Sequence, residues 1–290
     1  MILNKQREQI FTNSINKDIQ DLYDFISSNK IDYLSLDNFI QNDILNKKGF
    51  QVYRTLLYDQ IFETDRKESV LYGSEIHKQL NDNGFIKIEN FFDDITFGKI
   101  ENHFYDTKRK FINSNGSFNY PIKFNVLSKE HLQQIVKLCQ ADQKQSLDEF
   151  YMRQVQHCDP KTSNEDSRQY RFHYDKFFPN YKIWFYVENM TYQLGPTACF
   201  VGSHIPSVSK MRWFYEESVQ QNYEWSRASL DVKNYMKEVR DKTGFDTECI
   251  LTGEPNTFFI IDTRLLHRRT PAAPGTKRTS LRAILPRLKK

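Results

Sequence analysis

Proline is missing from the first 120 residues of this 290-residue chain, and all nine prolines lie at or after Pro121. Proline lacks a backbone N–H and clashes with the preceding helical turn, so it is excluded from helix interiors. The first part of the chain therefore favours helices, and the later part favours strands and turns. Hydrophobic residues make up 39% of the chain and aromatic residues 14%, enough for the buried core of one large domain with an extension.

Cysteine is sparse, and long apolar runs are absent. The four cysteines, Cys139, Cys158, Cys199 and Cys249, form no CxxC pair, which excludes a disulfide framework and predicts reduced thiols. No apolar run could span a bilayer, and the opening MILNKQREQIF lacks the apolar core of a secretion signal. We therefore expect a cytoplasmic protein with no membrane partner.

Acidic residues are missing from Thr263 onward, where nine lysines and arginines occur. Such a run is either a solvated basic face or a source of arginines for a pocket that binds anions. The formal net charge of +4 is too small to indicate nucleic acid, and no recognition helix or basic stripe stands out. A nucleic-acid-directed function is therefore a minor alternative.

Hydrophobic spacing predicts helices first and strands later. Apolar residues at helical spacing follow Ser14 over residues 15–26, a second helix ends at Asn83-Gly84, and Asp93-Asp94 opens a third. Alternation predicts strands at Phe85–Glu89, Glu149–Gln156, Tyr170–Asp175, Lys182–Glu188, Ala198–Val201, Thr257–Ile261 and Arg278–Leu285. We expect a mainly β fold of the jelly-roll kind over residues 81–290, a helical N-terminal extension over 1–80, and a helical insertion at about 207–248.

The segment from Arg171 to Asp175 carries the first candidate metal ligands. Because side chains alternate across a strand, His173 and Asp175 fall on one face of the predicted strand, close enough to grip one ion. A lone strand histidine is more often a hydrogen-bonded structural residue, so this pair by itself is a weak signal. A second histidine, His267, follows the apolar run Thr257–Asp262 and can complete a set of two imidazoles and one carboxylate. Such a set leaves positions open for a bidentate cosubstrate and dioxygen, which favours Fe(II) over zinc.

Arg278 follows His267 by eleven residues. A guanidinium binds carboxylates bidentately and stays charged when buried, so Arg278 could hold the distal carboxylate of 2-oxoglutarate. Arg282 lies on the same face of the predicted strand and is the second candidate.

Several motifs in order resemble the phytanoyl-CoA dioxygenase family of Fe(II)/2-oxoglutarate oxygenases over roughly residues 80–286. They begin with the opening strand and helix around Asn83–Phe92, and the HxD of His173 and Asp175 follows. The remaining motifs are Leu194-Gly195-Pro196-Thr197, Val201-Gly202-Ser203-His204, Gly253-Glu254, His267 and Arg278. The first 70 residues match no element of the family, and the insertion lies where the family varies.

The resemblance implies a double-stranded β-helix, related to the cupins, with iron at its open end. It implies that His173, Asp175 and His267 bind iron and that Arg278 anchors 2-oxoglutarate, with His204 outside the metal site. Gln154 or Gln156 is similar in placement to a family glutamine near the cosubstrate. Lys182, Trp184 and Tyr186 share one strand face and are expected to line the same cavity, although ordinary sheet packing explains the two aromatic residues equally well.

The expected function is that of an Fe(II)/2-oxoglutarate-dependent dioxygenase that hydroxylates an unactivated C–H bond of a small anionic metabolite. The arginines Arg171, Arg264, Arg268 and Arg269 flank the histidines and are candidates to pair with a substrate carboxylate or phosphate. Because Asp175 is a carboxylate, halogenation is disfavoured. Desaturation or oxidative ring closure is the first alternative, and a cupin-like protein that is not an oxygenase is a further one.

Overall fold

The structure is a computed structural model, and it describes residues 22, 24, 28, 36, 39, 42–67, 73–110, 118–122, 129–138, 150–156, 170–174, 180–220 and 235–286. The predicted helix over residues 15–26 lies outside these ranges, apart from Leu22 and Asp24, which are helical. None of the helices in the described ranges combines the length and apolarity that a bilayer span requires.

Two predicted helices are confirmed, the one that ends at Asn83-Gly84 and the one that Asp93-Asp94 opens. Within the described ranges the helices are α1 (Asp43–Lys47), α2 (Phe50–Lys67), α3 (Glu75–Asn83), α4 (Asp94–Lys110), α5 (Lys129–Leu138), α6 (Val208–Val219) and α7 (Tyr235–Thr243). Helix α3 begins after Ser74, whose side chain accepts a hydrogen bond from the backbone of His77, and ends at Gly84 with φ of 80°. At Gly84 an added Cβ would lie 2.5 Å from Nδ1 of His204, so a glycine is required there.

Two antiparallel sheets form the framework. The strands in the described ranges are β1 (Phe85–Ile88), β2 (Phe118–Ile122), β3 (Phe150–Gln156), β4 (Asn180–Tyr186), β5 (Thr197–Phe200), β6 (Glu248–Ile250), β7 (Thr257–Asp262), β8 (His267–Arg269) and β9 (Lys277–Pro286). A six-stranded sheet has the order β1-β7-β4-β9-β3-β2, and a three-stranded sheet has the order β6-β5-β8. The predicted strands are confirmed to within about two residues, except for the one at Tyr170–Asp175.

The prediction of a strand at Tyr170–Asp175 was wrong over its described part. Residues 170–174 contain a single antiparallel bridge, which joins His173 to His267, and Asp175 lies outside the described residues. Glu248, at the end of the predicted insertion, begins β6 and pairs with Phe200 of β5. Helices α6 and α7 occupy the described part of that insertion.

The described residues form three apolar clusters. The largest covers one face of the six-stranded sheet and includes α3, α4 and α5, and we call that face the outer face. A second cluster joins α2 and α6 to Phe172, Tyr174, Phe200 and Leu266. The third combines residues of both sheets with residues of adjoining loops: Tyr186, Met190, Cys199, Leu251, Phe259, Ile261 and Leu265. We call the face of the large sheet that meets this third cluster the inner face.

Candidate metal centre

His173 and His267 lie side by side at the edge of the small sheet. Each backbone N–H donates to the carbonyl of the other, over 2.9 Å from His173 and 3.0 Å from His267. The ring centroids are 4.6 Å apart, and the residues are 4% and 6% exposed. Directly opposite residues of an antiparallel pair project to the same face, so the two imidazoles are presented together. The structure thus brings together two predicted ligands that are 94 positions apart (267 minus 173).

Both imidazoles are oriented by a backbone carbonyl two residues earlier. Nδ1 of His173 lies 2.8 Å from the carbonyl oxygen of Arg171, and Nδ1 of His267 lies 2.8 Å from that of Leu265. A carbonyl oxygen can only accept, so in each ring Nδ1 carries the hydrogen and the neutral ring keeps its lone pair on Nε2. A hydrogen bond from the non-ligating nitrogen is the usual way in which a metal-binding histidine is held.

His267 remains neutral in the metal-free protein. Its pKa is lowered to about 3, mainly by burial and to a lesser extent by the positive charge of Lys182, while the hydrogen bond to Leu265 opposes both effects. Metal binding needs the neutral imidazole, so His267 requires no deprotonation at neutral pH. The donor chemistry of the histidine pair therefore fits a divalent ion such as Fe(II).

The carboxylate of the expected ligand set is not among the described residues. Asp175 follows His173 by two residues and lies outside them. Across the ranges that the structure describes, no three His, Cys, Asp or Glu side chains are grouped so that they could hold a metal ion. The histidine pair is therefore the described part of the candidate centre, and metal ligation by His173, His267 and Asp175 stays a prediction.

Lys182, Trp184 and Tyr186 alternate with outer-face residues along β4 and so lie on the inner face. The Lys182 Nζ is 5.8 Å from the centroid of the Trp184 ring, and its charge acts on His267. The Tyr186 hydroxyl donates to the Leu251 carbonyl oxygen over 3.0 Å, and burial raises the pKa of this tyrosine. The expectation that these three residues share one face is confirmed.

Arg278 and Arg282 also occupy the inner face, because Arg282 lies between Leu281 and Ala283 of the outer-face cluster. Arg282 pairs with Trp184 across the sheet. Arg278 Nη1 donates to the Gly195 carbonyl oxygen over 2.5 Å, and its charge lowers the pKa of Tyr186 against the larger effect of burial. Lys182 pairs with Ile284, so Lys182 and Arg278 lie at opposite ends of the inner face.

The register of β3 separates the two glutamines from Arg278. Gln154 pairs with Thr279 and Gln156 with Lys277, whereas Val155 pairs with Arg278. Directly paired positions share a face, so positions 154 and 156 lie on the face of the sheet opposite to that of Arg278. Their side chains lie outside the described part of the chain, and their role near the cosubstrate stays a prediction.

Two of the four arginines proposed for the substrate pair with carboxylates of the protein. Arg264 is 4% exposed and contacts Asp262 and Asp59. Arg268 Nη2 lies 2.8 Å from Glu248 Oε1, and its guanidinium stacks over the Phe172 ring. The expectation for Arg264 and Arg268 is corrected accordingly: both stabilise the fold around the histidines.

The other two arginines differ in exposure. Arg269 is nearly buried, with its guanidinium 5.6 Å from the centroid of the Tyr170 ring. Arg171 is exposed. His204, which the sequence analysis left out of the metal site, has its Nε2 3.0 Å from the Asn81 carbonyl oxygen and packs against Gly84.

The sequence did not predict the contacts of Asp59, Asp262 and Cys199 beside the candidate centre. Asp59 and Asp262 hold Arg264 just before His267. Cys199 has a buried free thiol, and on β5 it lies directly opposite His267 of β8 on one side and Cys249 of β6 on the other. The acidic residue that ends the apolar run Thr257–Asp262 was the available signal for Asp262. No local pattern marks Asp59.

No protein-family model and no curated protein sequence matches the chain. Among solved structures it is similar to AviO1 from Streptomyces viridochromogenes Tue57, with 13% identity, a TM-score of 0.42, and coverage of 71% of this chain and 91% of that one. It is similar to the epimerase SnoN in complex with Fe3+, alpha ketoglutarate and nogalamycin RO, with 10% identity, a TM-score of 0.42, and coverage of 71% and 80%. It is similar to HygX from Streptomyces hygroscopicus with nickel and 2-oxoglutarate bound, with 12% identity, a TM-score of 0.45, and coverage of 73% and 85%. TM-scores this low assign neither a fold family nor an activity to this chain.

Proposed function

We propose that this protein is an Fe(II)/2-oxoglutarate-dependent dioxygenase of the phytanoyl-CoA dioxygenase-like kind, built on a double-stranded β-helix. It oxidises an unactivated C–H bond of a small anionic metabolite in the cytoplasm, with hydroxylation as the outcome. The observation that carries the proposal is the histidine pair, in which two buried imidazoles from distant parts of the chain lie 4.6 Å apart between ring centroids.

The pair supports a metal site more strongly than a structural role. Structural histidines need no common orientation, whereas here Nδ1 of each ring is bonded to the carbonyl two residues before it. The Nε2 atoms are then the coordinating atoms of both rings. With Asp175 as the third ligand, the centre has the composition of the two-histidine, one-carboxylate set that non-haem Fe(II) oxygenases use.

The inner face of the large sheet supplies the cosubstrate site in this proposal. When bound, Fe(II), dioxygen and 2-oxoglutarate supply oxidative decarboxylation of the 2-oxo acid, coupled to hydrogen abstraction from the substrate. Arg278 binds the distal carboxylate of 2-oxoglutarate. Lys182, Trp184 and Arg282 lie along the same face. Dioxygen is the second cosubstrate. These residues bind and orient the cosubstrate, and the aromatic ring of Trp184 excludes water.

The substrate is proposed to be anionic because arginines flank both histidines in the sequence. Arg269 lies two residues after His267, and Arg171 lies two residues before His173. Either can bind a carboxylate or phosphate of a small molecule. Desaturation and ring closure begin from the same hydrogen abstraction, so product analysis separates them from hydroxylation.

The test is anaerobic addition of Fe(II) and then 2-oxoglutarate, monitored by the weak visible metal-to-ligand charge-transfer band. The parent protein is expected to show the band, and His173→Ala, His267→Ala and Asp175→Ala are expected to lose it. His103→Ala, a partly buried histidine on α4, is the matched control and keeps the band.

Stoichiometric iron without the band would show that 2-oxoglutarate does not chelate the metal. The non-oxygenase, cupin-like alternative would then replace the proposal. If His103→Ala abolished the band as well, loss of the band in the other variants would reflect general damage and not loss of a ligand.

A further inference from the structure

Helix α2 is buried on nearly all sides along its first half. Phe50, Val52, Tyr53 and Tyr58 belong to the apolar cluster that also contains Phe172, Tyr174 and Leu266. Phe172 and Tyr174 flank His173 in the sequence, and Leu266 precedes His267. The helix therefore packs behind both histidines, although it belongs to the segment that resembles no element of the oxygenase family.

A buried ion cluster links the same helix to the large sheet. Asp59 Oδ1 lies 3.3 Å from Arg264 Nη1, and each side chain is only 5% exposed. On its other side, Arg264 binds Asp262 through Nη2 at 2.8 Å and through Nε at 3.1 Å. The guanidinium of Arg264 lowers the pKa of Asp262 despite the opposing effect of burial. Buried charges that are paired this closely are fixed in position, because separating them leaves an uncompensated charge.

The turn that Arg264 stabilises leads directly to His267. The Arg264 N–H donates to the Asp262 carboxylate over 2.9 Å, and the Leu265 N–H donates to the Asp262 carbonyl oxygen over 2.9 Å. The carbonyl oxygen of Leu265 then accepts the hydrogen bond from Nδ1 of His267. Contacts therefore run without a gap from Asp59 through Arg264 and the turn to the imidazole.

A second anchor holds the residue between the turn and the histidine. The Leu266 N–H donates to the Ser203 hydroxyl over 2.8 Å, and that hydroxyl donates to the Phe200 carbonyl oxygen over 2.7 Å. This anchor fixes one side of the Leu265–Leu266 peptide, and the ion cluster fixes the other. Movement of Asp59 would then be transmitted to the orientation of the imidazole.

We propose that Asp59 is a positioning residue of the metal centre, so that helix α2 completes the site from behind. This inference rests on the proposed metal site and adds a role for the N-terminal segment. Asp59 acts through Arg264 and the Leu265 carbonyl group, and it touches neither metal nor substrate. Partners beyond the first ligands of a metal commonly alter its affinity, because they set the orientation of those ligands.

The test compares Asp59→Asn with Leu56→Ala by Co(II) titration of the full chain. Leu56 packs against the same cluster on the same helix but takes no part in the ion cluster, so its variant controls for loss of packing. Asp59→Asn is expected to weaken Co(II) binding by about tenfold and to change the visible d–d spectrum of the bound ion. Leu56→Ala is expected to leave both unchanged at temperatures where circular dichroism shows the protein folded.

Arg264→Lys is the second variant, in case Asp59→Asn does not fold. It keeps a positive charge beside both carboxylates but loses the planar fork, and the same weakening and spectral change are expected. Parent affinity and an unchanged spectrum in the folded Asp59 and Arg264 variants would overturn the inference. Equal weakening by Leu56→Ala would overturn it too, because packing alone would then account for the effect.

A metal-independent measurement separates this inference from the proposed function. In the apo-protein, ¹⁵N–¹H spectra of the His267 ring report the Nδ1–H tautomer that the Leu265 carbonyl selects. Asp59→Asn is expected to shift these His267 resonances but not those of His77. Leu56→Ala is expected to shift neither. A parent protein that binds no Co(II) but shows the shift would refute the proposed function and leave Asp59 as the residue that positions the imidazole. If the parent binds Co(II) but Asp59→Asn shows no shift, the inference about Asp59 is refuted and the proposed function stands.

Discussion

The two faces of the six-stranded sheet use the same strands for different purposes. Along β4, Tyr181, Ile183 and Phe185 lie in the outer-face cluster, while Lys182 and Trp184 alternate with them on the inner face. Along β9, Leu281 and Ala283 are buried on the outer face, whereas Arg278 and Arg282 project inward. The outer face is almost wholly apolar, whereas the inner face carries three cations beside the apolar residues of the third cluster.

This difference shows how a small change of register would destroy the site. Side chains alternate with a period of two, so a slip by one residue would exchange the apolar row for the cationic row. The outer cluster therefore fixes the register on which the inner face depends. In the proposed function, the inner-face cations bind the cosubstrate. Substitutions on the two faces should accordingly separate stability from binding.

The largest effect is expected for Phe185→Ala on the outer face. Phe185 is 2% exposed and packs edge-on against Phe92 at 5.3 Å between ring centroids. Loss of a buried phenylalanine ring typically lowers the free energy of unfolding by about 3–5 kcal/mol, which urea denaturation measures. The folded fraction should bind Co(II) as the parent does. A loss of metal affinity without a loss of stability would break the separation between the faces.

The neighbouring inner-face residue provides the control. Tyr186→Phe removes only the hydroxyl that donates to the Leu251 carbonyl oxygen, and a lost hydrogen bond of this kind lowers the free energy of unfolding by about 1 kcal/mol. Equal losses of unfolding free energy in the two variants would show that the outer face contributes no more to stability than the inner face.

The second effect concerns Arg278→Met on the inner face. If Arg278 binds the distal carboxylate of 2-oxoglutarate, its loss should weaken 2-oxoglutarate binding by about tenfold or more, since hydrogen bonds to charged groups contribute about 1.5–3 kcal/mol. The charge-transfer band would then require more 2-oxoglutarate to saturate. Stability should fall by only about 1 kcal/mol, from the lost hydrogen bond to Gly195.

Arg282→Met is the matched comparison, because Arg282 lies on the same face of the same strand. If Arg278 is the anchor, Arg282→Met should leave the saturation curve near that of the parent. The opposite pattern would transfer the anchoring role to Arg282. Parent-like saturation in both variants would remove the cosubstrate site from this end of the inner face.

The division of residues between the outer and inner faces could largely be predicted from the sequence, because the alternation of side chains along a strand is a local property. The strand predictions around Lys182 and Arg278 placed the cations of each strand on one face, and the structure agrees. The pairing of His173 with His267 followed from chemistry, since two imidazoles and a carboxylate form a recognisable set. Neither inference required knowledge of the tertiary contacts.

The parts that escaped prediction depend on contacts between distant segments. Strand β8 contains only His267, Arg268 and Arg269, so it has no apolar alternation that would mark it. Among the described residues 170–174, only His173 is bridged, and its partner is His267 of this short β8. Asp59 and Arg264 are 205 positions apart, and no periodicity joins them. Their ion pair becomes visible only when α2 is packed behind the site.

The smallest effect is expected for Lys182→Met, and it tests whether the inner face acts on the metal centre electrostatically. The positive charge of Lys182 lowers the pKa of His267, so its removal should raise that pKa. Burial is the larger cause and persists in the variant, so the pKa should stay below the ordinary value of about 6.5. Titration of the His267 ring by NMR in the metal-free protein measures the change.

The sign of the accompanying stability change follows from proton uptake. The parent His267 has a folded pKa of about 3, so below the ordinary histidine pKa of about 6.5 the unfolded chain binds a proton that the folded chain rejects. This histidine therefore lowers stability progressively as pH falls from 6.5 toward 3, and the loss levels off below that. In Lys182→Met the levelling should occur at a higher pH, because the folded state accepts the proton earlier. An unchanged His267 titration would mean that the Lys182 charge does not reach the ring, and the inner face and the histidine pair would then act independently.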